Sequence, residues 1–150
     1  MRKQSLNERA MNLLARREHS VTELKNKLLK ADFDIDEIYN VIAKLTETGL
    51  QSDDRFAENY LRYRSQRGFG FRRITLELKE RGVAADIIAD ALDTSDIDWF
   101  TLAASARCKR FGEHYPDTPK DRAKQQRFMQ YRGFTHEQIT ESFNFIQNEK

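Results

Sequence analysis

The feature that most constrains this chain is a helix–turn–helix pattern that returns at a nearly constant interval. Its clearest copy, Ile74 to Leu92, reads ITLELKERGVAADIIADAL. Ile74, Leu78 and Arg81 fall at helical spacing until Gly82, the residue best able to take the left-handed conformation that ends a helix. Val83 follows where it can fold back onto Leu78, and a second helix begins with Asp86 in its positively polarised first turn. Moving 51 residues forward, Leu78, Gly82, Val83, Asp86, Ile88 and Leu92 become Met129, Gly133, Phe134, Glu137, Ile139 and Phe143. Moving 50 residues back, they become Leu28, Asp32, Phe33, Asp36, Ile38 and Ile42. Only the first glycine is replaced, by an aspartate, one of the few side chains that tolerate the left-handed region. Self-similarity at a fixed period marks a repeat architecture.

Helix-start signals divide each repeat into three helices. Ser5-Leu6-Asn7-Glu8 and Ser20-Val21-Thr22-Glu23 are capping-box patterns, and Asp34 opens a third helix that Gly49 ends. Ser52 followed by Asp53-Asp54 opens the second repeat, Thr118-Pro119 is a cap and first-turn pair, and Thr135 caps the last helix, whose stripe is Ile139, Phe143 and Ile146. Only Ala84 lacks a capping side chain at its turn. Trp99, Phe100, Ala103, Ala104 and Phe111 supply the first apolar face of the third repeat. With no segment of β period, the expectation is an all-α, elongated chain of about nine helices in three tandem three-helix repeats, 1–50, 51–94 and 95–150. The 39% hydrophobic and 33% charged residues suit thin helical layers.

No apolar run approaches the roughly 20 residues that span a bilayer, so a cytoplasmic monomer away from membranes is expected. One cysteine permits no internal disulfide. The carboxylates Asp53-Asp54, Asp34-Asp36-Glu37 and Asp96-Asp98 all sit at helix starts, where capping accounts for them better than a metal. His19, His114 and His136 lack metal-ligand spacing and read as surface or turn residues. Cys108, between Arg107 and Lys109-Arg110, continues the Ala104–Phe111 stripe and reads as a small buried residue. The residues point to no enzyme and no cofactor.

The basic residues carry more information. From Asn59 to Leu76 there is no acid, while Arg62, Arg64, Arg67, Arg72 and Arg73 alternate with Tyr60, Tyr63, Phe69 and Phe71. A second basic stretch, from Arg122 to His136, holds Lys124, Arg127 and Arg132 and no acid. Guanidinium groups among aromatic rings suit phosphate contact with base stacking, or an acidic protein surface. The formal net charge of +2 is too low to argue for nucleic acid by itself. These eight residues are the candidate binding surface, and charge reversal at Arg72 and Arg73 is expected to weaken binding without unfolding the chain.

Leu14-Ala15-Arg16-Arg17-Glu18-His19-Ser20, then Ser52-Asp53-Asp54-Arg55-Phe56-Ala57, then Arg67-Gly68-Phe69-Gly70 and Arg81-Gly82-Val83 resemble, in that order and spacing, the RecX family of bacterial recombination regulators. The resemblance implies a tandem array of three-helix units that binds the RecA recombinase and lies in the groove of its filament on single-stranded DNA. It also implies restraint of ATP hydrolysis, strand exchange and stimulated repressor cleavage. Weak direct DNA contact by the basic residues is a separate expectation. The alternative is a helical repeat protein that binds DNA directly.

Overall fold

A computed structural model of the chain describes the backbone of residues 4–149 and the side chains of residues 4–144. Ile146, expected on the last buried stripe, has its side chain outside that range. The described residues form nine helices and no strand: α1 Leu6–Arg16, α2 Val21–Lys30, α3 Ile35–Glu47, α4 Asp53–Gln66, α5 Phe71–Glu80, α6 Ala85–Thr94, α7 Trp99–Phe111, α8 Pro119–Tyr131 and α9 His136–Glu149.

The helix ends follow from the local sequence. Ser20 forms a complete capping box with Glu23, and Thr135 forms one with Gln138, each donating and accepting across four residues. Asp34 accepts from the amides of Asp36 and Glu37, and Asp98 from those of Phe100 and Thr101. Each such cap contributes about 1 kcal/mol by satisfying amides the helix leaves open. The three inner turns are built alike. Phe33, Val83 and Phe134 donate their amides to Leu28, Leu78 and Met129 at 3.4, 3.1 and 3.2 Å. The residue before each is left-handed: Asp32 at φ 65°, Gly82 at 79° and Gly133 at 98°. The spacing of apolar residues therefore encodes a backbone turn made three times.

Residue contacts divide the chain into two compact units, Met1–Asn59 with Leu78–Asp93, and Tyr60–Glu77 with Thr94–Lys150. The middle repeat thus contributes to both. In the first unit Leu6, Ala10, Leu24, Leu28, Ile38, Ile42 and Leu45 form the core, with Phe33 and Val41 packed against it. The segment before α2 is pinned from two directions. Ser20 Oγ donates to the Arg81 carbonyl at 2.7 Å, Val21 N donates to Asp53 Oδ1 at 2.9 Å, and Gln51 Nε2 donates to the His19 carbonyl at 3.2 Å. A Cβ on Gly82 would drive into the side chain of Thr22.

The second unit repeats this arrangement at its own junction. Gly70 N donates to the Arg132 carbonyl at 2.7 Å and Arg72 N to the Gly133 carbonyl at 3.2 Å. Gly70 and Gly133 approach so closely that a Cβ on Gly70 would meet the Gly133 backbone, and one on Gly133 the backbone of Arg73. The core of this unit is Ala103, Met129, Phe134, Ile139 and Phe143. Truncating Phe143, which is fully buried, is expected to cost about 3–5 kcal/mol.

The structure corrects three side-chain placements. The inward face of α7 runs through Ala103, Ala104 and Arg107, so Phe100 is 45% exposed and Cys108 is only half-buried. The reason is the entry of the helix: the ring of Trp99 packs edge-on to Phe71 at 5.9 Å, and the stripe continues at steps of four from that anchor. Arg107 is wholly buried, with Nη1 donating to Gln125 Oε1 at 2.9 Å and its guanidinium 4.6 Å from the Phe143 ring. Its Nε has no partner, and burial holds its pKa below the usual arginine value. His19 lies in a turn as expected but is 1% exposed, because the α1–α2 connection is covered by the Gln51 and Arg81 contacts rather than left to solvent.

Candidate functional site

The candidate surface is assembled in the second unit where the α4–α5 connection meets the end of α8. At the end of α4 the Phe69 amide donates back to the Arg64 carbonyl at 3.2 Å, which returns the chain over the helix. The Phe69 ring then lies 3.7 Å from the Arg64 guanidinium. Arg132, from the end of α8, takes another position around the same ring at 4.5 Å and also lies 4.8 Å from Phe128. Arg73 stands 5.6 Å from Phe69 and 4.7 Å from Tyr131. Arg67 covers Tyr63 at 4.5 Å. Such contacts fix guanidinium planes against ring faces at about 0.5–2 kcal/mol each.

One carboxylate organises these cations. Glu77 accepts from Arg64 Nε and Nη2, both at 2.9 Å, from Tyr60 OH at 2.9 Å and from Arg73 Nε at 3.1 Å. Burial pushes the Glu77 carboxyl up, but the bonds from Arg64, Tyr60 and Arg73 outweigh it and hold the pKa below the ordinary glutamate value. Arg73 also donates Nη1 to the Tyr131 carbonyl at 3.2 Å, and Arg132 donates Nη1 to the Arg67 carbonyl at 3.2 Å. Arg132 is pulled the other way. Burial, and to a lesser degree the charges of Arg64, Arg73 and Arg110, lower its pKa.

Of the eight candidate residues, the structure gathers Arg64, Arg67, Arg73 and Arg132 around Phe69, Tyr63 and Tyr131. The two acid-free runs therefore meet. Lys124 and Arg127 are exposed and share a stripe of α8 with Tyr131, at steps of three and four. Arg62 and Arg72 are exposed, on α4 and at the start of α5. Sequence reasoning misses Glu77, which ends an acid-free run and so reads as its boundary. It also passes over Tyr131 and Phe128; their alternation with Arg127 and Arg132 is the available signal. The joint reversal of Arg72 and Arg73 needs correction as well. A carboxylate at 73 would lose the 3.1 Å bond to Glu77 and set a like charge one helical turn from it, so of the two only Arg72 can be reversed without disturbing the fold.

Three family models match along the chain, described as the first, second and third three-helix domains of RecX, over residues 8–45, 52–92 and 96–142. The chain belongs to the RecX family. A Regulatory protein RecX from Halorhodospira halophila is 39% identical over 136 residues, covering 91% of this chain and 84% of that protein. One from Chromohalobacter salexigens is 42% identical over 130 residues, covering 87% and 85%. Among solved structures, RecX from Lactobacillus salivarius superposes with a TM-score of 0.76 at 22% identity, covering 95% of each chain, and so shares the fold. The sequence resemblance and the all-α architecture are therefore both sound, and a regulatory role comes with the family. Among the described residues no group of three or more His, Cys, Asp or Glu side chains is placed to hold a metal, and no helix is long and apolar enough to cross a membrane.

Proposed function

We propose that this RecX-family chain regulates homologous recombination by binding the RecA filament on single-stranded DNA and restraining its ATP hydrolysis, strand exchange and stimulated repressor cleavage. The observation that carries this reading is the family match through all three domains, with relatives named Regulatory protein RecX at about 40% identity over most of the chain. The repeats 1–50, 51–94 and 95–150 are its working units, and it acts as a cytoplasmic monomer without a cofactor. Its contact surface includes Arg62, Arg64, Arg67, Arg72, Arg73, Lys124, Arg127 and Arg132. What supports this surface is its mixture of held and exposed cations: Glu77 fixes Arg64 and Arg73, while Arg62, Arg72, Lys124 and Arg127 reach solvent.

The test is ATP hydrolysis by RecA on single-stranded DNA as the protein is titrated in, with binding to the same DNA measured alongside. Inhibition is expected at concentrations where naked DNA is barely bound. If hydrolysis falls only once the DNA is already covered, the chain is a direct DNA-binding repeat protein, a reading that the exposed rings of Tyr63 and Tyr131 favour. Charge reversal at Arg72 and Arg127, both exposed, is expected to weaken inhibition with the melting temperature unchanged; full inhibition by that variant would remove this face from the contact surface.

A further inference from the structure

The second unit contains a pocket of about 270 Å³ beside the arginine–aromatic cluster. Arg67, Lys109, Arg110 and Arg132 line it over a floor that includes Ala106 and Phe128, and no carboxylate is among its lining residues. Lys109 and Arg110 end α7, where the helix carbonyls favour cations, and both are exposed. Arg132 is held at the pocket by its bond to the Arg67 carbonyl and by the rings of Phe69 and Phe128 on which it stacks. Three elements distant in sequence thus bring four cationic residues to the lining of one cavity. Glu77, the acid that organises this region, is engaged by Arg64 and Arg73, neither of which lines the pocket.

We infer that this pocket receives a backbone phosphate of single-stranded DNA, with the adjoining base stacked on the face of Tyr63 that Arg67 does not cover. Three features favour that occupant over an acidic protein side chain. Four cations exceed what one carboxylate neutralises, whereas a phosphate is followed along its strand by others of the same sign. The volume equals that of about nine waters at about 30 Å³ each, room for a phosphate with its sugar rather than for a carboxylate alone. Beside the pocket, Arg67 lies 4.5 Å from the ring of Tyr63, which is 53% exposed and can receive an unpaired base. A base held in a duplex cannot offer its face in this way. The inference deepens the regulatory reading by giving the chain its own hold on the strand that runs through the filament.

The experiment measures fluorescence anisotropy of a labelled oligodeoxythymidylate with the full chain, without RecA, over a series of salt concentrations. The variants are Lys109→Gln with Arg110→Gln, and separately Arg67→Gln. Lys30→Gln with Lys44→Gln, exposed positions of the first unit, is the control for loss of charge. Melting curves report whether each variant is folded, and Arg67→Gln serves should the double variant fail. The pocket variants are expected to bind about tenfold more weakly at low salt. Their dependence of log K on log salt should be shallower by about 0.7 for each phosphate that is no longer neutralised, with the control unchanged. Unaltered affinity and slope in folded pocket variants would overturn the assignment. So would unaltered DNA binding together with abolished inhibition of RecA, which assigns the pocket to an acidic group on the protein partner. Weakened DNA binding by the pocket variants, in a protein that never inhibits RecA, would uphold the pocket and sink the regulatory reading instead.

Discussion

The junction before α2 and the junction before α5 occupy matching places 50 residues apart, and each docks on a turn that also matches, Arg81-Gly82 in one and Arg132-Gly133 in the other. The turn carbonyl is the acceptor in both, from the Ser20 hydroxyl in one and the Gly70 amide in the other, while the charges are reversed. In the first, Glu23 and Lys27 stand one turn apart; in the second, their counterparts Arg73 and Glu77 carry the opposite signs. Glu23 accepts from Arg17 at 3.0 Å and lies 3.8 Å from Arg81, and two further carboxylates stand at this junction, Glu18 on Arg55 at 3.0 Å and Asp53 on the Val21 amide at 2.9 Å. Around Glu77 the arginines outnumber the carboxylate. The ring at the matching place differs too: buried His19 in the first junction, half-buried Phe69 in the second. The turn repeats, and side-chain divergence placed three carboxylates at one junction and gathered arginines around Glu77 at the other.

The largest effect should come from Gly133→Ala, which combines a φ of 98° with a Cβ against the Arg73 backbone. A loss of about 3 kcal/mol is expected by denaturant unfolding. Gly82→Ala meets only the side chain of Thr22, whose Cβ and Oγ1 both lie in its way, so removing that whole side chain with Thr22→Gly should recover most of the clash and leave about 1 kcal/mol of backbone strain. If Gly82→Ala with Thr22→Gly is as damaging as Gly133→Ala, the two junctions are held by more than the shared turn.

Next in size, Glu77→Gln should cost about 2–3 kcal/mol, because it leaves Arg64 and Arg73 without their charge partner at a mostly buried site. Glu23→Gln should cost about 1 kcal/mol, since its partner Arg17 is 48% exposed. Equal losses in chemical denaturation would contradict the contrast between the junctions.

Acidification should separate them further. The Nδ1–H of His19 donates to the Arg17 carbonyl at 3.0 Å, so its Nε2 must accept from Lys27 at 2.9 Å, and the ring is neutral. Burial, then the charges of Arg17 and Lys27, lower its pKa from 6.5 despite the carbonyl bond and Glu23. The unfolded chain therefore takes up the proton first. Stability contributed by neutral His19 is complete above 6.5 and lost as pH falls from there toward the lowered value, by no more than about 1.4 kcal/mol per pH unit. Glu77, lowered from 4.5, keeps its contribution until pH falls below that value. Hydrogen exchange should show the first junction loosening as pH falls below 6.5 and the second only below 4.5. His19→Phe, which installs the counterpart residue, should remove the earlier step; its persistence would assign that step elsewhere.

The smallest effect on stability should be that of Tyr131→Ala. Its ring is 71% exposed, and a change within about 0.5 kcal/mol in the melting curve is expected. A larger loss would mean that the Arg73–Tyr131 stack holds the fold rather than presenting a surface.

The sequence by itself determined the repeat, the inner turns and the helix caps, because each depends on residues within about five positions of one another: Ser20 with Glu23, Gly82 with Val83 and Leu78, Thr135 with Gln138. Arginines with aromatics could be read as a binding surface for the same reason, as a local density of suitable side chains. Only the tertiary structure decided which cations act together. Arg67 and Arg132 are 65 residues apart, and Lys109 and Arg110 join them through the position of α7. It also placed Arg107 and His19 inside, against the ordinary preference of their side chains, since burial depends on what the rest of the chain lays over a residue. Periodicity reports which face of a helix turns inward; which distant side chains meet there depends on the register of the packed helices, as the displaced stripe of α7 shows.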